Sequence, residues 1–253
     1  MERAKEWIPA SLIAAGILAM IWHGPVAQPA GYNDFADKRT MLGIPNALDV
    51  LSNAPFLIVG LWGFQALRGK HHDLRIARSW PGFAMFLVAI TLTAFGSGYY
   101  HWAPDNQRLL WDRLPIALAC AGLLAAVHTE THRASPKWLL AVLVVASVAS
   151  CLWWYATDAE GAGDLRPYLF FQLALVLVPV WQWIDDSPRP DRIVFGIAVV
   201  LYALAKVFEI YDKQTYEALK FVSGHTIKHL LAAAAAMLLA ANLVRRIRAP
   251  DSA

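Results

Sequence analysis

Long apolar runs separated by short charged clusters set the pattern of this chain. Eight runs are long enough, or nearly long enough, to cross a hydrocarbon core, at 7–23, 44–67, 80–102, 109–128, 138–157, 168–184, 193–212 and 222–244. A helix rising about 1.5 Å per residue needs roughly 20 residues for a core of about 30 Å, and these segments match that length. Lipid leaves backbone groups no outside partner, so such runs are helical. The predicted fold is an all-α integral membrane protein of eight spans. The connections are too short for a second domain, so residues 1–253 read as one membrane domain.

Composition agrees with the pattern. Hydrophobic residues make up 58% of the 253 positions and charged residues 16%, with a mean hydropathy of +0.42. Soluble domains carry about 45–50% and about 25%. The net charge of +3 is uninformative as a total, but its distribution is not. Thirteen Lys and Arg flank the spans on the side of the termini and six lie on the other. By the positive-inside rule both termini are expected in the cytoplasm. Basic clusters of this kind orient a membrane protein, so nucleic acid is not an expected partner. The first run has a basic start and ends near Pro25-Val26-Ala27-Gln28, which also fits a cleaved signal peptide; we read it as a retained helix. Cys120 and Cys151 each fall inside a span and read as small apolar fillers.

Polar residues inside spans are costly and mark function. On this topology, Ser97 and His101 end the third span, Asp112 opens the fourth, Glu209 and Asp212 end the seventh, and His225, Lys228 and His229 open the eighth. All come to one depth, near the outer face. His225 and His229 are four apart and share a helix face. With His101 they make three imidazoles, the number a catalytic zinc site takes from the protein. Ser97, one turn before His101, is placed to orient a water or a substrate carbonyl. Asp112 is placed as acceptor or general base. The same residues have plainer readings: a serine bonded to its own backbone, and Asp112-Arg113 as an ion pair at a span boundary. His71, His72, His128 and His132 fall at the cytoplasmic side and read as interfacial. The tryptophans near span ends suit an aromatic belt, and the alanines at 232–236 a close packing surface.

Ser97-x-x-x-His101, Asp112 and His225-x-x-x-His229 together resemble the superfamily of alkaline ceramidases, adiponectin and progestin receptors and hemolysin III-like proteins. Ser52-Asn53-Ala54-Pro55-Phe56, with Asp34-Phe35-Ala36-Asp37 and Asn46 ahead of it, is similar to the alkaline ceramidase branch. The resemblance implies a seven-helix core over 32–245, with 7–23 an extra helix before it. It assigns zinc to His101, His225 and His229, catalysis to Ser97 and Asp112, and calcium to Asp34, Phe35 through its carbonyl, Asp37 and Asn46. It implies a zinc-dependent intramembrane amidase that hydrolyses ceramide or a related N-acyl lipid, in a bacterial inner membrane, with its site near the periplasmic face. The alternative is a receptor-like or structural metal-binding membrane protein without hydrolase activity.

Overall fold

A computed structural model describes residues 2–70, 72–132, 135–159, 161 and 163–248. The elements are α1 (Glu2–His23), α2 (Ala47–Leu51), α3 (Ala54–Leu67), α4 (Trp80–Trp102), α5 (Asn106–Thr131), α6 (Leu139–Ala159), α7 (Arg166–Val176), α8 (Val178–Ile184), α9 (Arg189–Ile210), α10 (Asp212–Leu219) and α11 (Gly224–Arg248). No strand occurs among the described residues.

Among the described residues, six units are long and apolar enough to cross a bilayer: Ala47–Leu67, α4, α5, α6, α9 and α11. The run at 168–184, expected as one helix, is α7 and α8 with a bend of 40° between them, and counts as a seventh span only if the pair is one. The cause is local. Pro179 sits in the first turn of α8 and has no N–H to give to Leu175, so the ladder breaks there. In the first run, the apolar stretch among the described residues is Ala10–His23. Its Leu18, Ile21 and Trp22 are exposed. It is tied to the rest where the Arg166 guanidinium donates to the Met20 carbonyl at 3.1 Å.

Proline placement explains several helix starts. Pro55, Pro81, Pro167 and Pro190 lie in the first turns of α3, α4, α7 and α9, where their missing N–H costs nothing. α5 begins on Asp105, whose carboxylate accepts the Arg108 N–H at 2.7 Å, an N-cap bond.

The helix pair that positions the site is α4 against α5. A Cβ on Gly96 would lie 2.1 Å from the Trp111 carbonyl oxygen. That carbonyl faces Gly96 because Pro115, four residues on, cannot bond it. Glycine on one helix and proline on the other bring the backbones together one residue from Ser97 and one from Asp112. α11 lies against α9 and α3. Its start is close to α9 and α10 for a similar reason: a Cβ on Gly224 would meet the Phe208 carbonyl oxygen at 2.2 Å. The core between these helices is apolar, with Phe56, Phe83, Phe86, Leu87, Leu123 and Val127 buried. Cys120 and Cys151 are buried free thiols, as expected of fillers.

Candidate metal centre and cavity

His101, the last residue but one of α4, and His225 and His229 on the first turns of α11 converge in the structure. Their nitrogens lie within 4.8 Å of one another, and the ring centroids are 4.7–4.8 Å apart. His101 is fully buried and the other two are 3% exposed. Among the described residues this is the group of three or more His, Cys, Asp or Glu side chains close enough to share an ion.

The donor set fits a metal on two observations. Neither ring nitrogen of His101 has a hydrogen-bond partner, although both are buried. A buried polar atom left so costs about 1–3 kcal/mol, and a metal bond removes that cost for one of them. His229 is held in one tautomer. The Ser52 hydroxyl donates to the Asp49 carbonyl at 3.0 Å, so its oxygen accepts from His229 Nδ1 at 2.7 Å. Nε2 is then the free lone pair, the usual arrangement behind a ligating histidine. Three imidazoles suit zinc, and equally copper, iron or nickel. Ser52 and Asp49 carried no metal signal in the sequence beyond the Ser52–Phe56 segment; both act through another residue.

Asp212 and Asn46 fix the frame around the ligands. Asp212 Oδ1 accepts the His225 N–H at 2.8 Å and Oδ2 the Ala36 N–H at 2.8 Å, joining the start of α11 to the preceding loop. The Asn46 amide donates to the His101 carbonyl at 2.9 Å, with Asn46 in the left-handed region at φ 46°. Asp49 bonds the Ser223 and Thr226 hydroxyls at 3.1 and 2.6 Å.

Of the four residues assigned to calcium, the two carboxylates are held by cations. Asp34 pairs with Lys38 and Lys213 at 2.5 and 2.6 Å, which lowers its pKa to about 2. Asp37 is gripped by Arg39 at 2.7 and 2.8 Å; burial raises its pKa, but the bonds to Arg39 outweigh that and hold it below the usual value. Phe35 lays its ring against His101 and His225, centroids 4.7 and 4.4 Å away, so it walls the histidine cluster. A calcium ion there would have to displace lysines and an arginine.

Ser97 and Asp112 flank the close approach of α4 and α5 at Gly96 and Trp111. Both line a cavity of about 190 Å³, as does His229. At one end of it stand Tyr32, Arg113, Lys206, Glu209 and Lys228; the other end is lined by Phe86, Leu123, Phe195, Ala236 and Leu239. Ala232, Ala235 and Ala236 border the cavity, so the alanine run hollows it as well as packing α11.

Arg113 does not pair with Asp112 within salt-bridge distance. Its Nη2 donates to Gln28 Oε1 at 2.8 Å, and its Cζ lies 3.8 Å from the Trp154 ring centroid. Nη1 is buried without a partner. A desolvated cation–π contact supplies about 2 kcal/mol, less than the several kcal/mol that burying an uncompensated ion costs. Glu209, left open in the sequence, accepts from Lys228 at 2.8 Å, Tyr32 at 3.1 Å and Lys206. Burial and the neighbouring Glu209 raise the Tyr32 phenol to about 12.

At the far end of the bundle, His128 and His132 stack at 4.2 Å against Trp181. Trp181 therefore packs on histidines as well as sitting near a span end. His71 lies outside the described residues.

No family model matches the chain, and neither a curated protein nor a solved structure does so. What can be said of its class rests on its own residues: an all-α chain with the apolar helices of a membrane protein, holding a buried three-histidine site able to bind a metal ion.

Proposed function

We propose that this chain is a metal-dependent amide hydrolase of membrane lipids, similar to the alkaline ceramidases, acting on ceramide or a related N-acyl lipid. One observation carries the reading: His229, of the buried histidine cluster, lines the same cavity as the Ser97–Asp112 pair, and that cavity continues into an apolar chamber. The ligands are His101, His225 and His229, and zinc is the proposed ion; when bound it supplies a Lewis acid beside the cavity.

The apolar chamber takes the acyl chain and leaves the amide at the polar end. Asp112 accepts a proton from the attacking water, so that oxygen bonds to the amide carbon. The Ser97 hydroxyl donates to the carbonyl oxygen as negative charge gathers there. Asp112 then passes the proton to the leaving nitrogen as the C–N bond breaks, giving a fatty acid and a free amine. Phe35 and the aromatic residues beside Arg113 keep bulk water from the site.

The test is fatty-acid and amine release from a panel of N-acyl lipids by the purified, metal-loaded protein. Asp112→Asn is expected to keep the metal and lose on the order of 10²–10⁴ in turnover. Absence of release from every lipid by metal-replete protein overturns the hydrolase reading in favour of a non-catalytic metal protein.

A further inference from the structure

The charges at the polar end of the cavity do not cancel. Arg113, Lys206 and Lys228 face Asp112 and Glu209, three cations to two anions. Glu209 is already shared between both lysines and the Tyr32 hydroxyl. Asp112 lines the same cavity beside Ser97 and forms no ion pair with Arg113 at salt-bridge distance. Arg113, which is 3% exposed, is left without an ion pair at salt-bridge distance.

The surroundings of Arg113 hold it in one pose. Gln28 takes Nη2, Trp154 covers one face at 3.8 Å, and Tyr32 and Tyr168 stand at 5.4 and 5.3 Å. A guanidinium serving only as a tether would be complete with these. Here Nη1 is left over, fully buried and without a partner, on a side chain that lines the cavity. Tyr32 links it to the rest of the group, its ring against Arg113 and its hydroxyl on Glu209, which in turn holds Lys228.

We infer that the polar end of this cavity recognises an acidic group, so that the lipid it takes carries a carboxylate, phosphate or sulfonate on the amine side of its amide, bound by Arg113. The inference rests on the hydrolase reading for the word amide, and on the Arg113 environment for the acid. A planar guanidinium with a free edge is built for an oxyanion. A neutral ceramide headgroup would leave Nη1 with hydroxyl acceptors only. The apolar chamber leads away from Arg113, which places the acid at the head of the lipid and the acyl chain at its far end.

The experiment compares N-palmitoylglycine, its methyl ester, palmitic acid and a ceramide of the same acyl length, with the full-length, metal-loaded protein in detergent. Binding is measured directly, and hydrolysis separately. The acid is expected to bind on the order of tenfold to a hundredfold tighter than its methyl ester, the range of one hydrogen-bonded charge. Arg113→Gln brings that ratio to about one, and Arg113→Lys keeps part of it. The wild-type ratio needs no variant, so misfolding of either variant leaves the test intact. A wild-type ratio near one, or the same ratio in Arg113→Gln, overturns the inference. Palmitic acid binding as tightly as N-palmitoylglycine also overturns it, since the site then reads a fatty carboxylate. Acid-selective binding without hydrolysis of any lipid upholds the acid site and sinks the hydrolase reading alone. Hydrolysis of acid and ester alike does the reverse.

Discussion

Both ends of the helix bundle carry buried charge, and they treat it differently. At the end away from the histidines, polar groups close on one another. Asn242 donates to Asp191 at 2.7 Å, Arg245 donates to Asn242 at 2.7 Å, and Arg246 pairs with Glu130 at 2.8 Å. Glu130 also takes the Ser79 hydroxyl at 2.8 Å. At the histidine end, Asp49 Oδ2, Asn53 Oδ1, Arg113 Nη1, Trp154 Nε1 and both nitrogens of His101 have no partner. Gln182 Oε1 is the exception, an orphan beyond this group. A polar network that satisfies itself holds helices together; one with atoms left over is shaped around something else. Charge in the membrane alone does not separate the two ends. Unfilled bonding capacity does.

The sharpest way to break that contrast is to remove a ligand. Wild type is expected to hold about one metal equivalent, and His101→Ala well under a tenth, since two imidazoles are too few for a tight site. Elemental analysis decides this, and equal metal in both proteins would make the histidine cluster a packing feature. Next in size is Ser52→Ala. Without the acceptor for His229 Nδ1, metal affinity should fall on the order of tenfold to a hundredfold, read by competition with a chelator of known affinity. An unchanged affinity would remove Ser52 from the site.

The other end should respond in stability instead. Asn242→Leu leaves Asp191 short of a donor, at a cost of about 1–3 kcal/mol, which lowers Tm on the order of 2–12 °C. Metal content should not change; if it does, the two ends are coupled and the contrast fails.

Asp34→Asn gives the smallest effect. The folded pKa of Asp34 is depressed to about 2 from 3.8. Its contribution is therefore present above about 3.8 and lost as pH falls toward 2. The Tm difference between variant and wild type should shrink over that window. It should also be the same with and without calcium, because lysines hold the carboxylate. A calcium-dependent difference would support the calcium assignment.

How much of this was legible in the sequence depends on whether a residue's role is carried by type and spacing or by tertiary contact. The three histidines were legible because lipid makes an idle imidazole expensive and because 225 and 229 are one turn apart. The apolar runs likewise showed the helices. The break at Leu177 was written in Pro179, but inside an apolar run a first-turn proline and a kink look alike. Ser52 was invisible as a partner of His229, since 177 residues separate them. The plainer reading of Asp112-Arg113 as an ion pair is not what the fold shows, since no such pair lies within salt-bridge distance and Arg113 turns to Gln28 and Trp154. Adjacent residues on a helix point about 100° apart, and only the packing of α6 and the 24–46 loop shows where Arg113 goes. For Asp34 and Asp37 the resemblance implied calcium; the neighbours Lys38 and Arg39 were visible in the sequence, whereas Lys213, 179 residues away from Asp34, becomes its partner only in the fold.

The site also has a timetable. His101 is made 124 residues before His225, by subtraction of their positions. A ribosome adding about 5–20 residues per second needs roughly 6–25 s to cover that stretch. Throughout that interval α4 carries a single imidazole donor, and α5 to α10 assemble around a position that no ion can yet occupy tightly. A metal held by this cluster would therefore be captured late in biosynthesis, after α11 has entered the bundle. A chelator present only while the first half of the chain is being made should leave the finished protein's metal content untouched.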